Sequence, residues 1–169
     1  MAISSITSDD WNGIYSVQQN AYTDIEPESI DVLKSKWEVT PETCFVSHCE
    51  KGHIEAYVLA HRWAGKKPPK LFNAVEKSVA LQQAEGLYLH DLAVHERAQG
   101  KKLGQKLVNA VLSQARQLGV KRVSLVAVQG ADRFWQKQGF KPCTDTEICA
   151  SYGDDAVFME LDLQPGANA

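Results

Sequence analysis

The chain has 169 residues, 44% of them hydrophobic and 23% charged, which suits one globular domain with a sizeable core. A net charge of -3 argues against wholesale nucleic-acid binding, which asks for a basic face, and no apolar run approaches the ~18 residues of a membrane span. Cys44, Cys49, Cys143 and Cys149 lack the spacing of a zinc or redox site and read as reduced thiols; with no charged-then-apolar leader in MAISSITSDDW, a cytoplasmic protein without a metal is expected.

Residues 3–6 read as a short strand, and Thr7, Ser8, Asp9 and Asp10 then offer the oxygens and negative charge that suit a helix start. Trp11, Ile14, Val17 and Tyr22 carry the apolar face of that helix. Pro27 interrupts it, and residues 29–37 suggest a second short helix burying Ile30, Leu33 and Trp37. Asp24, Glu26, Glu28 and Asp31 gather around this connection. A helix N-terminus is the ordinary place of such carboxylates.

Residues 44–49 and 54–62 read as two strands around a tight turn at Lys51-Gly52. The connection 63–86 holds Gly65, Pro68 and Pro69, which oppose regular structure, and then a polar helical piece at 75–83. A connection this long is often a substrate-facing loop. Lys66, Lys67 and Lys70 fall in it, and with Lys101, Lys102 and Lys106 they make two basic segments on an acidic chain. That pattern fits an anionic cofactor, and it fits solvated surface charge.

The most regular stretch covers residues 87–140. A strand at 87–94 leads to the turn Gln99-Gly100-Lys101-Lys102-Leu103-Gly104, after which Leu103, Leu107, Val111, Ala115 and Leu118 recur at helical spacing up to a cap at Gly119. A largely apolar strand at 122–128 follows, so the two strands should be near neighbours. A helix rising from a glycine turn presents free N–H groups and its positive dipole end, which makes an anion site. Arg97, Lys101 and Lys102 add charge there, and Gly100 and Gly104 let a phosphate approach. Taken alone, the turn is also explained as a surface loop with solvated lysines.

Two motifs in this stretch, Gln99 to Gly104 and Ala131-Asp132-Arg133-Phe134-Trp135-Gln136-Lys137-Gln138-Gly139-Phe140, together resemble the GNAT superfamily of acetyl-CoA-dependent N-acetyltransferases. The first is similar to its [Q/R]-x-x-G-x-[G/A] turn, with Lys102 in place of the middle glycine; the second is similar to its A-x-x-F-Y-x-x-x-G-F segment. The resemblance implies an α/β fold with a mixed, mostly antiparallel, splayed sheet flanked by helices. It implies acetyl-CoA as co-substrate, with its pyrophosphate on Gln99, Gly100, Lys101, Lys102, Leu103 and Gly104, its thioester at the backbone of Leu92, Ala93 and Val94, and Trp135 as a wall. The first two helices would enclose the acceptor, a small primary amine or, as second choice, a protein or peptide amine.

His90 stands where some relatives carry a glutamate base, and an imidazole accepts a proton near neutral pH; the alternative is a histidine packed against the sheet. Strand alternation puts Asp91 on the opposite face unless a bulge resets the count. Trp135 replaces the tyrosine usual in the family as acid, and Val128 an asparagine. Tyr152, otherwise a turn residue, is the candidate donor. No cysteine falls in the core unit, so direct transfer in a ternary complex is expected over an acyl-enzyme. A CoA-binding regulatory or interaction module with little turnover is the competing reading. One domain over 1–163 with a frayed tail at 164–169 is expected, and nothing in the pattern decides between a monomer and a homodimer.

Overall fold

The computed structural model describes residues 2–23, 26–64, 68–69, 73–75, 78–128, 130–143, 152 and 155–163. Seven strands, β1 (Ala2–Ser5), β2 (Phe45–His48), β3 (Ile54–Arg62), β4 (Gly86–Val94), β5 (Arg122–Ala127), β6 (Lys141–Pro142) and β7 (Val157–Asp162), form one sheet in the order β1-β2-β3-β4-β5-β7-β6. Every pair is antiparallel except β4 with β5, which a helix joins as the β-turn-α-β pattern requires. The mixed, mostly antiparallel and splayed sheet is thus as expected.

The helices follow from their apolar faces. α1 (Trp11–Ala21) buries Trp11, Ile14, Val17 and Gln18, and α2 (Ile30–Val39), with Ser29 accepting from Val32 N at 3.2 Å as N-cap, buries Leu33, Lys36 and Val39. α3 (Val79–Gln82) is a single turn, capped by Ser78 and with Val79 72% exposed; the polar helix expected over 75–83 shrinks to it among the described residues because its side chains have no apolar stripe to bury. α4 (Leu103–Gln117) lays Leu103, Leu107, Val108, Val111, Leu112 and Ala115 on the sheet, each Leu or Val worth roughly 1.5–3 kcal/mol of burial. Gly119, at φ +75°, ends it where a left-handed residue is needed. α5 (Asp132–Lys137) completes the set.

The sheet separates two cores. Ala56, Val58, Ala60, Leu87 and Leu89 face α4 and α5, whereas Tyr57, Leu59 and Ala93 face α1 and α2. The two-residue edge strand β6 was not anticipated; it is too short to show a period of two. Asp24, Gly65, Lys66, Lys67, Lys70, Cys149 and the tail at 164–169, all singled out from the sequence, lie outside the described residues. Among the described residues no helix is long and apolar enough to cross a membrane, and no group of three or more His, Cys, Asp or Glu could hold a metal ion.

Candidate active site

β4 and β5 pair only over Gly86, Leu87 and Tyr88 with Arg122, Val123 and Ser124, and then diverge. A cavity of about 230 Å³ fills the wedge. Gln18, Tyr22, Glu26 and Glu28 line it from the α1–α2 side, Ala131, Phe134 and Trp135 from the α5 side, Leu89 to Leu92 with Leu125 and Val126 from the two strands, and Val128 from just past the end of β5. One opening therefore reaches both faces of the sheet.

The strand geometry that turns His90 toward the α1–α2 side is a bulge. Leu59 pairs with Asp91 and Ala60 with Leu89, so His90 has no partner of its own on β3. The extra residue resets the alternation: Leu89 and Leu92 pack on the α4 core, while His90 and Asp91 both turn to the α1–α2 side. Simple alternation, which placed the two on opposite faces, is overturned here by the one-residue insertion.

His90 Nε2 lies 2.5 Å from Glu28 Oε1, with the side chains 1% and 4% exposed. A carboxylate accepts, so Nε2 is the donor of this bond, and Nδ1 is buried and without a hydrogen-bond partner among the described residues. Gln18 fixes Glu28 in turn: its Oε1 accepts from Glu28 N and its Nε2 donates to Glu28 O, both at 3.0 Å. Beside this pair the Tyr57 hydroxyl donates to Asp91 Oδ2, and burial pushes the Asp91 carboxyl above its usual range even though His90, when protonated, and the Tyr57 and Tyr22 hydroxyls pull it down. The Tyr22 hydroxyl donates to Leu92 O at 2.7 Å.

Two buried bases lie behind the site. The Lys36 ammonium, fully buried, donates to Asn73 O at 3.0 Å; burial lowers its pKa to about 8, and the nearby Glu28 charge holds it up. His61, also fully buried, has its Nδ1 2.9 Å from Arg62 O, and burial lowers its pKa to about 3.

At the far end of β4, Gly100 takes φ +86° and Lys102 takes φ +60°, ψ +28°, the left-handed conformation that glycine adopts freely and lysine adopts at a cost. Lys102 is the N-cap of α4 and supplies no side-chain cap, so the first N–H groups of the helix remain open to an anion. Lys101 Nζ stands 3.8 Å from Glu55 Oε1, and the Arg97 guanidinium donates to Ile54 O at 3.0 Å. Gly104 abuts Phe134: a Cβ there would meet the ring at 3.4 Å.

Of the residues singled out from the sequence, His90, Leu92, Trp135 and Tyr152 line the cavity; Ala93, Val94 and the turn from Gln99 to Gly104 do not, the turn standing past the end of β4. Trp135 packs edge-on against Phe134 and Phe140, with centroids 5.0 and 5.4 Å apart. The Tyr152 hydroxyl donates to Pro69 O at 2.7 Å and lies 3.2 Å from the Tyr88 hydroxyl. Cys44 is buried, and burial pushes its thiol up to about 12, which makes it a poor nucleophile. Gln18, Tyr22 and Tyr57 were not among the candidates, and Glu28 stood only within an acidic cluster. The sole hint in the sequence was a polar or amphipathic residue on an otherwise apolar helix or strand face.

The family model described as "Acetyltransferase (GNAT) family" matches residues 11–140. No curated protein matches the chain. Among solved structures, the chain resembles Ard1 from Thermoplasma volcanium at 18% identity and a TM-score of 0.73, with 96% of this chain and 97% of that one covered. It resembles the ribosomal-protein-S18-alanine N-acetyltransferase from Escherichia coli at 19% identity and a TM-score of 0.67, over 96% and 94%. The GphF GNAT-like decarboxylase in complex with isobutyryl-CoA is similar at 16% identity and a TM-score of 0.78, over 97% and 100%. At these identities the likeness concerns the fold.

Proposed function

The chain belongs to the GNAT acetyltransferase family, whose chemistry is acyl transfer from CoA, and from that premise we propose that it moves an acetyl group from acetyl-CoA to a small primary amine by direct transfer. The observation that carries this reading is His90, which lines the cavity with its Nε2 engaged by Glu28 and its Nδ1 unpartnered among the described residues. That is the arrangement of a general base with its orienting carboxylate. Nδ1 takes the proton of the attacking amine, and Glu28 balances the imidazolium that forms. Glu26 and Asp91 line the same cavity and favour a cationic acceptor.

The residues present fit acetyl-CoA. The open N–H groups of α4, with Gln99, Gly100, Lys101, Lys102, Leu103 and Gly104 around them, suit a pyrophosphate, and the β4–β5 wedge gives a slender chain a way through the sheet. Bound there, the thioester would supply the acyl carbon, its C–S bond breaking as the C–N bond forms. Leu92 would flank that carbon and Trp135 would wall the passage. Tyr152, its hydroxyl supplied from behind by Tyr88, is assigned as donor to the leaving sulfur.

Two alternatives rest on specific observations. The Tyr152 proton is committed to Pro69 O, which suits a CoA-binding module with little turnover. A protein or peptide amine is the other acceptor, as the name of the Escherichia coli enzyme of this fold indicates for that protein. The test is release of CoA thiol from acetyl-CoA against small amines and peptides, with His90→Ala in parallel. Turnover on small amines, reduced by about 10²–10⁴ in His90→Ala at unchanged acetyl-CoA affinity, is expected. Undiminished turnover in the variant would remove His90 as base, and binding without turnover on any amine would favour the module.

A further inference from the structure

We propose that Glu55 is the counter-charge of the cofactor turn: it keeps the Lys101 ammonium to itself, so that the turn holds the pyrophosphate of acetyl-CoA less tightly and lets the product CoA go. This rests on the acetyltransferase reading given above and deepens its cofactor site.

The start of β3 carries the segment that leads into the turn. Glu55 O accepts from His95 N at 2.7 Å, and Ile54 O beside it accepts from the Arg97 guanidinium at 3.0 Å. Glu55 is thereby fixed through its main chain, and its carboxylate comes to lie beside Lys101, two residues before α4 begins. The Glu55 side chain is only 6% exposed. Its Oε1 stands 3.8 Å from Lys101 Nζ, and its Oε2 is buried without a hydrogen-bond partner among the described residues. Lys101 is the one ion-pair partner of this acid among the described residues.

A buried carboxylate stripped of its cation is far costlier than a half-exposed ammonium left in water. Lys101, whose side chain is 45% exposed, therefore cannot turn wholly to a phosphate without leaving Glu55 bare. Arg97 likewise has an N–H engaged on Ile54 O. An anion at the turn is then met chiefly by the N–H groups of α4, which the Lys102 N-cap leaves open. The acid beside the turn also opposes that anion with a charge of its own sign. The pyrophosphate is the same in acetyl-CoA and in CoA, so whatever grips it binds substrate and product alike. Loosening that grip shortens the stay of the product and leaves the acyl step untouched.

The experiment compares Glu55→Gln, Lys101→Met and the double variant with the unmodified chain. Affinity for acetyl-CoA and CoA is read by calorimetry, CoA dissociation by stopped flow, and the melting temperature on the free proteins. Glu55→Gln should bind both about three- to tenfold more tightly, through slower dissociation and with a steeper dependence on salt as Lys101 comes free. Lys101→Met should bind them about three- to tenfold more weakly and melt a few degrees lower, and adding Glu55→Gln should restore most of both losses. Affinity unchanged or lowered in a folded Glu55→Gln would overturn the proposal. Should that variant not fold, Lys101→Met decides: a joint loss of affinity and melting temperature upholds the pair. Any other pattern in Lys101→Met overturns it, a loss of affinity alone being the mark of a lysine already given to the phosphate. An unmodified chain that binds no acetyl-CoA ends the acetyltransferase reading and the proposal together, whereas one that binds it while Glu55→Gln binds no better ends the proposal alone.

Discussion

Gln18 grips both main-chain groups of Glu28, accepting from its N–H and donating to its C=O at 3.0 Å each, with Gln18 3% exposed. The carboxylate facing His90, in the connection before α2, is therefore placed by an amide on α1. Gln18→Leu keeps the bulk and leaves two buried main-chain groups unpaired, a cost of about 1–3 kcal/mol each that residue 28 escapes by moving. We expect kcat to fall at least tenfold with acetyl-CoA affinity unchanged, read by steady-state kinetics and calorimetry. Normal kcat in Gln18→Leu would mean that Glu28 holds its place unaided.

The turn before α4 separates backbone from charge. Gly104→Leu carries its side chain beyond the Cβ that would already meet Phe134 at 3.4 Å, and should weaken acetyl-CoA binding by about an order of magnitude or more. Lys102→Gly relieves a left-handed lysine, so its melting temperature should hold within a few degrees while affinity drops modestly and loses part of its salt dependence. Unaltered binding in Gly104→Leu would take the turn out of the cofactor site.

Tyr152→Phe separates a proton donor from a structural hydroxyl. It breaks the bond to Pro69 O and should cost about 1–2 kcal/mol of stability in either case. A donor role adds a fall in kcat of about ten- to a hundredfold at constant acetyl-CoA affinity. Full turnover with a lowered melting temperature would leave Tyr152 as a strut for the connection at Pro69.

His61 gives stability a pH dependence of known sign. Its folded pKa, about 3, lies below its ordinary value of 6.5, so as pH falls the unfolded chain takes up the proton first. The contribution is fully present above about pH 6.5 and is lost down to about pH 3, on the order of 4–5 kcal/mol in all. His61→Gln should flatten the fall by close to one proton, about 1.4 kcal/mol per pH unit, in urea melts between pH 6 and pH 4. Equal slopes in the two proteins would show that the ring titrates freely in the fold.

The apolar periods at Leu103, Leu107 and Val111 and the Gly119 cap made α4 readable from the sequence, and the β-turn-α-β order placed β4 beside β5. The site was less legible. His90 stood out as a polar residue in an apolar strand, but the bulge that turns it beside Asp91 depends on pairing with Leu59 and Ala60, and pairing is not written in either strand alone. Glu28 sits 62 residues from the ring it orients, and a carboxylate near a helix start is ordinary enough to hide there. Tyr22 read as an apolar-face residue and Tyr57 only as part of a strand, and packing alone reveals where their hydroxyls go. Lys36 is buried completely on α2, and nothing in the residues around it signals that burial.

The bulge at residue 90 has a consequence at the level of the gene. Leu89 already pairs with Ala60 and Asp91 with Leu59, each with side chains on matching faces, so a chain lacking the single codon for His90 would meet β3 in an unbroken ladder. Every other side chain of β4 would keep its side of the sheet. The candidate base is thus an insertion into a strand that is complete without it, and a one-codon deletion would part the scaffold from its chemistry while leaving the sheet intact.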